Sequence, residues 1–141
     1  MTQKKVLLVD DSSTMRLIIR NLVNADPNLT VVGSVENGKK AIEELTVADP
    51  DLILLDLEMP EMDGIEFLRL ARSKTKAKIV VLTSIAPAGS PKAAQVISLG
   101  GDAIISKPSG AVSFDLKAAR GTELFGVIYR LLGMGTPPIP A

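Results

Sequence analysis

Apolar runs that each stop on a chemically active side chain restrict this chain more than any other feature. LILL at 52–55 ends on Asp56, KKVLLV at 4–9 ends on Asp10 and Asp11, and KIVVL at 78–82 ends on Thr83 and Ser84. A fourth run, 102–106, delivers Lys107 in front of Pro108. Short apolar stretches bounded by turn-forming residues read as buried strands. In a parallel sheet such ends share one edge, and the ligand crevice of an open α/β sheet lies just outside that edge. Asp56 alone would be no more than a solvated loop carboxylate. Three carboxylates, a hydroxyl and an ammonium delivered together form a chemically coherent set. Carboxylates clustered without histidine or cysteine are hard oxygen ligands suited to magnesium, and a neighbouring lysine suits a phosphoryl group.

The segments between these runs carry helical spacing. Ser12 or Ser13 can cap a helix with Met15, Ile18, Ile19 and Leu22 on one face, and Pro27 marks its end. A second strand is expected at 30–35. The next helix opens at Gly38 with Ala41, Ile42 and Leu45 inward and Lys39, Lys40, Glu43 and Glu44 outward. Asn28 begins a glycosylation sequon that has no meaning in a cytosolic protein. Helices are expected from about 65 to 73, with Ile65, Leu68 and Ala71 inward, and from Pro91 to about 99, ended by Gly100 and Gly101. The connection 109–121 exceeds the roughly 2–6 residues a β-to-α link needs. Thr122 then caps a last helix with Leu124, Phe125, Ile128, Leu131 and Leu132 apolar. Strands alternating with helices give a doubly wound sandwich of about five parallel strands. We divide the chain into a domain at 1–133 and a proline-rich tail at 134–141, the start of an interdomain linker.

With 141 residues the chain suffices for one domain with a real core, and it has no cysteine. Its 16 basic and 16 acidic residues cancel, so nothing calls for nucleic acid or an anionic membrane. No stretch suits a signal peptide or membrane span, and a cytoplasmic location is expected. The absence of histidine removes the usual general base and the commonest zinc ligand.

VDDSSTMR at 9–16, LLDLEMPEMDG at 54–64, the Thr83–Ser84 pair and Lys107–Pro108 together resemble the receiver domains of two-component response regulators, over nearly the whole chain. ISKPSGAV at 105–112 and the extended segment after it resemble, within that family, the receiver half of chemotaxis protein-glutamate methylesterases. The resemblance implies a flavodoxin-like sheet of order 2-1-3-4-5, a fold for which this order is known. It implies that Asp56 is the phosphorylated nucleophile, that Asp11 and Asp56 bind Mg2+ (or Mn2+) directly and Asp10 through water, and that the main-chain carbonyl of Glu58 completes the protein ligands. Thr83 would hydrogen-bond the phosphoryl oxygen and Lys107 would pair with it. The implied partners are a chemotaxis-type sensor histidine kinase as phosphodonor, the parent's own C-terminal methylesterase domain and, indirectly, the chemoreceptors. The face made by the helix from Pro91, the last strand and the helix from Thr122 is expected to dock that esterase domain, with Phe114, Leu116, Lys117 and Arg120 in the long connection beside it. Ile104 stands where many receivers carry a gating tyrosine or phenylalanine, and Glu58 and Ile85 flank the acceptor where the family tunes phosphate lifetime.

Two other readings stand beside this one. A single-domain receiver would act on a separate partner. A haloacid-dehalogenase-like phosphohydrolase also uses a strand-end aspartate followed two residues on by an acid, but that acid is usually aspartate and here is Glu58, and such enzymes need no Asp10–Asp11 pair. A nucleotide site is excluded by the lack of G-x-G-x-x-G or a Walker lysine. The chain itself is no enzyme beyond its own phosphorylation and dephosphorylation. A serine esterase needs a base, normally histidine, so the hydrolase of a methylesterase parent lies outside these residues.

Overall fold

The computed structural model describes residues 3–57, 64–83, 91–106 and 121–134. Strands β1 (Lys4–Val9), β2 (Leu29–Val35), β3 (Leu52–Asp56), β4 (Lys78–Thr83) and β5 (Ala103–Ser106) alternate with helices α1 (Ser13–Asn24), α2 (Gly38–Ala48), α3 (Gly64–Ala71), α4 (Pro91–Ser98) and α5 (Gly121–Leu132). All four strand pairings are parallel and the order is β2-β1-β3-β4-β5, as the resemblance implies.

Because side chains alternate across a strand, the sheet separates two cores. Val6, Leu8, Leu54, Val80 and Ile105 meet Met15, Ile19 and Val23 of α1 and Leu124, Phe125, Ile128 and Tyr129 of α5 on one face. On the other, Leu7, Ile53, Leu55, Ile79 and Val81 meet Ala41 and Leu45 of α2, Phe67, Leu68 and Ala71 of α3, and Val96 of α4. β3 is buried at every position, which is why LILL shows no polar alternation.

Local chemistry accounts for several helix limits. The Ser12 hydroxyl accepts from the Met15 amide at 3.1 Å and caps α1. The cap of α2 is Asn37, whose side-chain oxygen accepts from the Lys40 amide at 2.9 Å, so Gly38 is the first helical residue and the cap precedes it. α5 already begins at Gly121, so Thr122 falls inside its first turn and does not precede it as a cap. Gly133 at φ 66° and the Met134 amide, bonded to the Tyr129 carbonyl at 2.9 Å, close α5. Of the tail only Met134 is among the described residues.

At the amino-terminal edge of the sheet lies a polar network for which the linear sequence offers no simple signal. Asp26, fully buried after α1, accepts from the Tyr129 hydroxyl at 2.6 Å and from the Asn28 amide at 2.9 Å. The Asn28 side-chain amide donates to the same hydroxyl at 3.0 Å, and the Asn28 carbonyl receives the Lys4 amide at 2.9 Å. The end of α1, the start of β1 and the end of α5 are thereby joined. Burial, and then the bond to Asp26, raise the Tyr129 phenol above its ordinary value of 10.0.

Candidate functional site

The parallel register brings the first two acidic strand ends level. Val9 pairs with Leu55, so Asp10 follows β1 beside Asp56, and Asp56 pairs in turn with Leu82, one residue before Thr83. Thr83 is paired with Ser106, the residue before Lys107. Carboxylate oxygens of Asp10, Asp11 and Asp56 all lie within 4.8 Å of one another. Asp10, Asp56 and Thr83 are buried while Asp11 is exposed, which gives the cluster a rigid floor and one open side.

Backbone bonds explain how this floor is held. The Asp10 amide donates to Val35 at 3.1 Å, and the Asp10 carboxylate receives the Ser12 amide at 2.9 Å as α1 begins. The Arg16 guanidinium reaches back six residues to the Asp10 carbonyl at 2.6 Å. Arg16 belongs to the VDDSSTMR stretch, yet its i+6 reach to a main-chain oxygen has no sequence signal. On the other strand, the Leu57 amide donates to Leu82 at 3.1 Å and carries the ladder one residue past Asp56.

Gly64 sets how closely α3 returns to that strand end. Its amide donates to the Leu57 carbonyl at 3.0 Å, and a Cβ there would stand 2.8 Å from Leu57 Cα and 2.9 Å from the Asp56 carbonyl oxygen. Both obstacles are backbone, so neither can turn aside. Gly64→Ala is expected to cost ~1–3 kcal/mol, as overpacking does, and to shift the main chain that carries Asp56; if Asp56 is the phosphorylated nucleophile that the resemblance implies, its phosphorylation should slow as well. Thermal unfolding and a phosphorylation time course on one preparation check both effects.

The donor set fits a small, hard divalent ion. Opposite ligands of an octahedral Mg2+ stand about 4.2 Å apart at its usual ~2.1 Å bonds, close to the spread of these oxygens. No thiolate or imidazole competes, because the chain has neither cysteine nor histidine. Asp11→Ala is expected to weaken Mg2+ binding by roughly 10-fold or more through loss of a carboxylate ligand, read by titration. An unchanged titration removes Asp11 from the site.

The structure thus brings together Asp10, Asp11 and Asp56, with Thr83 on the adjoining strand end. Glu58, Ser84, Ile85 and Lys107 lie outside the described residues, as do Phe114, Leu116, Lys117 and Arg120. Ile104 is half-buried and packs on the α2–α4 side of the sheet. No helix among the described residues is long and apolar enough to cross a membrane.

Known proteins resemble this chain in sequence and fold. The family described as response regulator receiver domain matches residues 6–117. The protein-glutamate methylesterase/protein-glutamine glutaminase of Halalkalibacterium halodurans is 41% identical over 116 residues, which are 82% of this chain and 34% of that protein. Its counterpart in Treponema denticola is 44% identical over 119 residues, 84% of this chain and 32% of that one. The chain therefore spans about a third of the length of these curated relatives. Among solved structures, the response regulator domain of Thermotoga maritima CheB superposes with a TM-score of 0.86 at 30% identity, covering 96% of this chain and 99% of that one. A chain in the complex of the CheA3 P1 domain with CheY6 from R. sphaeroides gives 0.75 at 41% identity, with 94% and 99% covered.

Proposed function

This chain belongs to the response regulator receiver domain family, and on that premise we propose that it is the phosphoryl-accepting switch of a chemotaxis regulator, with Asp56 the acceptor. The observation that carries the reading is the carboxylate trio at the ends of β1 and β3, its oxygens within 4.8 Å, inside the segment that matches the family. A carboxylate oxygen of Asp56 attacks phosphorus and forms an acyl phosphate. The bond from phosphorus to the donor breaks, whether to a kinase histidine nitrogen or to an acetyl oxygen, and its electron pair leaves with the donor. Asp11 and Asp56 directly, Asp10 through water and the Glu58 carbonyl would hold Mg2+, which would supply positive charge beside the transferring group. The Thr83 hydroxyl donates a hydrogen bond to the transferred group and Lys107 pairs with it. Both act after transfer, so they couple phosphate to shape more than they enable chemistry.

The phosphodonor we propose is a chemotaxis-type histidine kinase, a reading supported by the likeness to a complex that contains the CheA3 P1 domain. The parent we propose is a cytoplasmic protein-glutamate methylesterase in which residues 1–133 are the receiver and 134–141 begin the linker. The likeness to the receiver parts of two such enzymes supports it. Catalysis by that esterase needs residues beyond this chain, which has no histidine. A free-standing receiver is the second reading, supported by the end-to-end match to a chain of the CheY6 complex. A reading frame that continues past Ala141 into a hydrolase decides for the first.

The test is incubation with acetyl phosphate, with and without Mg2+, followed by mass spectrometry. One acid-labile phosphate on Asp56, formed only with the metal, is the expected result. An acid-stable phosphate on Ser12, Ser84 or another hydroxyl overturns the assignment.

A further inference from the structure

We infer that Arg16 is a positioning residue for the carboxylate cluster, pinning the peptide between Asp10 and Asp11 so that Asp11 is aimed at the cation. This rests on the metal-site reading above and adds to it a residue that bonds to a main-chain oxygen and to no carboxylate. The Arg16 guanidinium donates to the Asp10 carbonyl at 2.6 Å. Among the described residues no acidic side chain forms an ion pair with it within 4.0 Å. A charged donor at that distance makes a short, strong hydrogen bond.

Such a bond matters most on the open side of the cluster. Asp10 is buried and held twice over, its amide donating to the Val35 carbonyl at 3.1 Å and its carboxylate accepting from the Ser12 amide at 2.9 Å. Ser12 is fixed in turn as the cap of α1. Asp11 stands between them and is exposed, and among the described residues neither its amide nor its carboxylate has a hydrogen-bond partner. Its direction is therefore set by the backbone alone. The peptide group is planar, so the Asp10 carbonyl oxygen and the Asp11 nitrogen move as one. Anchors on Asp10 and Ser12 leave that plane able to turn about the line joining its two Cα atoms, and the turn would swing the Asp11 nitrogen and, with it, the side chain. The bond from Arg16 opposes this rotation. Asp11 is thereby aimed from behind, while its own carboxylate stands within 4.8 Å of those of Asp10 and Asp56.

Charge and position predict opposite signs for the loss of Arg16. A positive charge beside a cation site opposes the cation, so by charge alone its removal tightens Mg2+ binding. Loss of a group that orients a metal ligand weakens binding, by about tenfold or more. The test is a calorimetric Mg2+ titration of Arg16→Met. Methionine keeps a long, flexible stem and a good helix preference. It also has room, since Arg16 borders an open groove of about 500 Å3 shared with Thr14, Leu17 and Arg20. Binding about tenfold weaker than wild type is expected. In an Asp11→Ala background the same change should weaken binding by less than about twofold, because Arg16 acts through Asp11. Binding as tight as wild type or tighter overturns the inference, and so does equal weakening with and without Asp11. Should Arg16→Met fail to fold, Arg16→Gln is read by the same criteria. A wild-type chain that binds no Mg2+ overturns the metal-site reading and the inference with it. That result is distinct from failure of the inference alone, in which wild type binds the ion and the variant binds it equally well.

Discussion

Asp56→Asn is expected to abolish phosphate uptake from acetyl phosphate while leaving the fold intact. Asparagine keeps the size and planar shape of the side chain at the buried end of β3, so the fit of that position is not disturbed. It replaces the carboxylate oxygen by an amide, which is not a nucleophile toward phosphorus, so the loss should be complete. It also removes one of three charges whose oxygens lie within 4.8 Å. Like charges that close, partly shielded by protein, repel by on the order of 1 kcal/mol or more. The metal-free variant should therefore melt no lower than the wild type, and it should lose most of the rise in Tm that Mg2+ gives the parent chain. Residual phosphate on the variant, found by intact mass, would move the acceptor to another residue.

Tyr129→Phe should be the most destabilising single change at the opposite edge. The variant leaves a fully buried Asp26 without the hydroxyl that reaches it at 2.6 Å. Hydrogen bonds to charged groups are worth ~1.5–3 kcal/mol. For a domain of this size that is a fall in Tm of roughly 5–15 °C. Asp26→Ala in the same background should add less than it costs alone, because both changes break one network. The pH dependence has a definite sign. The folded-state phenol titrates above the unfolded value of 10.0, raised first by burial and then by Asp26. Its contribution is thus fully present below about pH 10 and lost as pH rises through the folded value. The stability difference between wild type and variant, followed by denaturant unfolding, should be flat from neutral pH and shrink only in that alkaline range. A difference that vanishes near neutral pH would mean that the hydroxyl does not carry the effect.

Much of this site was legible because its residues are carried by the most regular part of the chain. Asp10, Asp56 and Thr83 each stand at the end of an uninterrupted apolar run, and a parallel sheet leaves such ends nowhere to go but one edge. Strand order came from resemblance, since spacing alone does not distinguish one sequence of crossovers from another. The Asp26–Tyr129–Asn28 network escaped notice for a different reason. Pro27 reads as the end of a helix and Asn28 as the start of a sequon, while Asp26 and Tyr129 carry no signal of their own. Their partnership spans 103 positions and exists only once α1 and α5 have packed on the same face of the sheet. The role of Gly64 was hidden similarly: a glycine after a turn looks the same in sequence whether or not a backbone oxygen is pressed against it.

β5 has only four residues and stands at the margin of the sheet, yet it belongs to both cores. Ala103 and Ile105 face the α1–α5 side and Ile104 the α2–α4 side. Any movement of this strand is therefore felt on both sides of the molecule at once. Two visitors, one seated beside α4 and one beside α5, would share a single mechanical input and thus bias each other's affinity by equal amounts without ever touching. A domain built in this way carries one displacement to two faces.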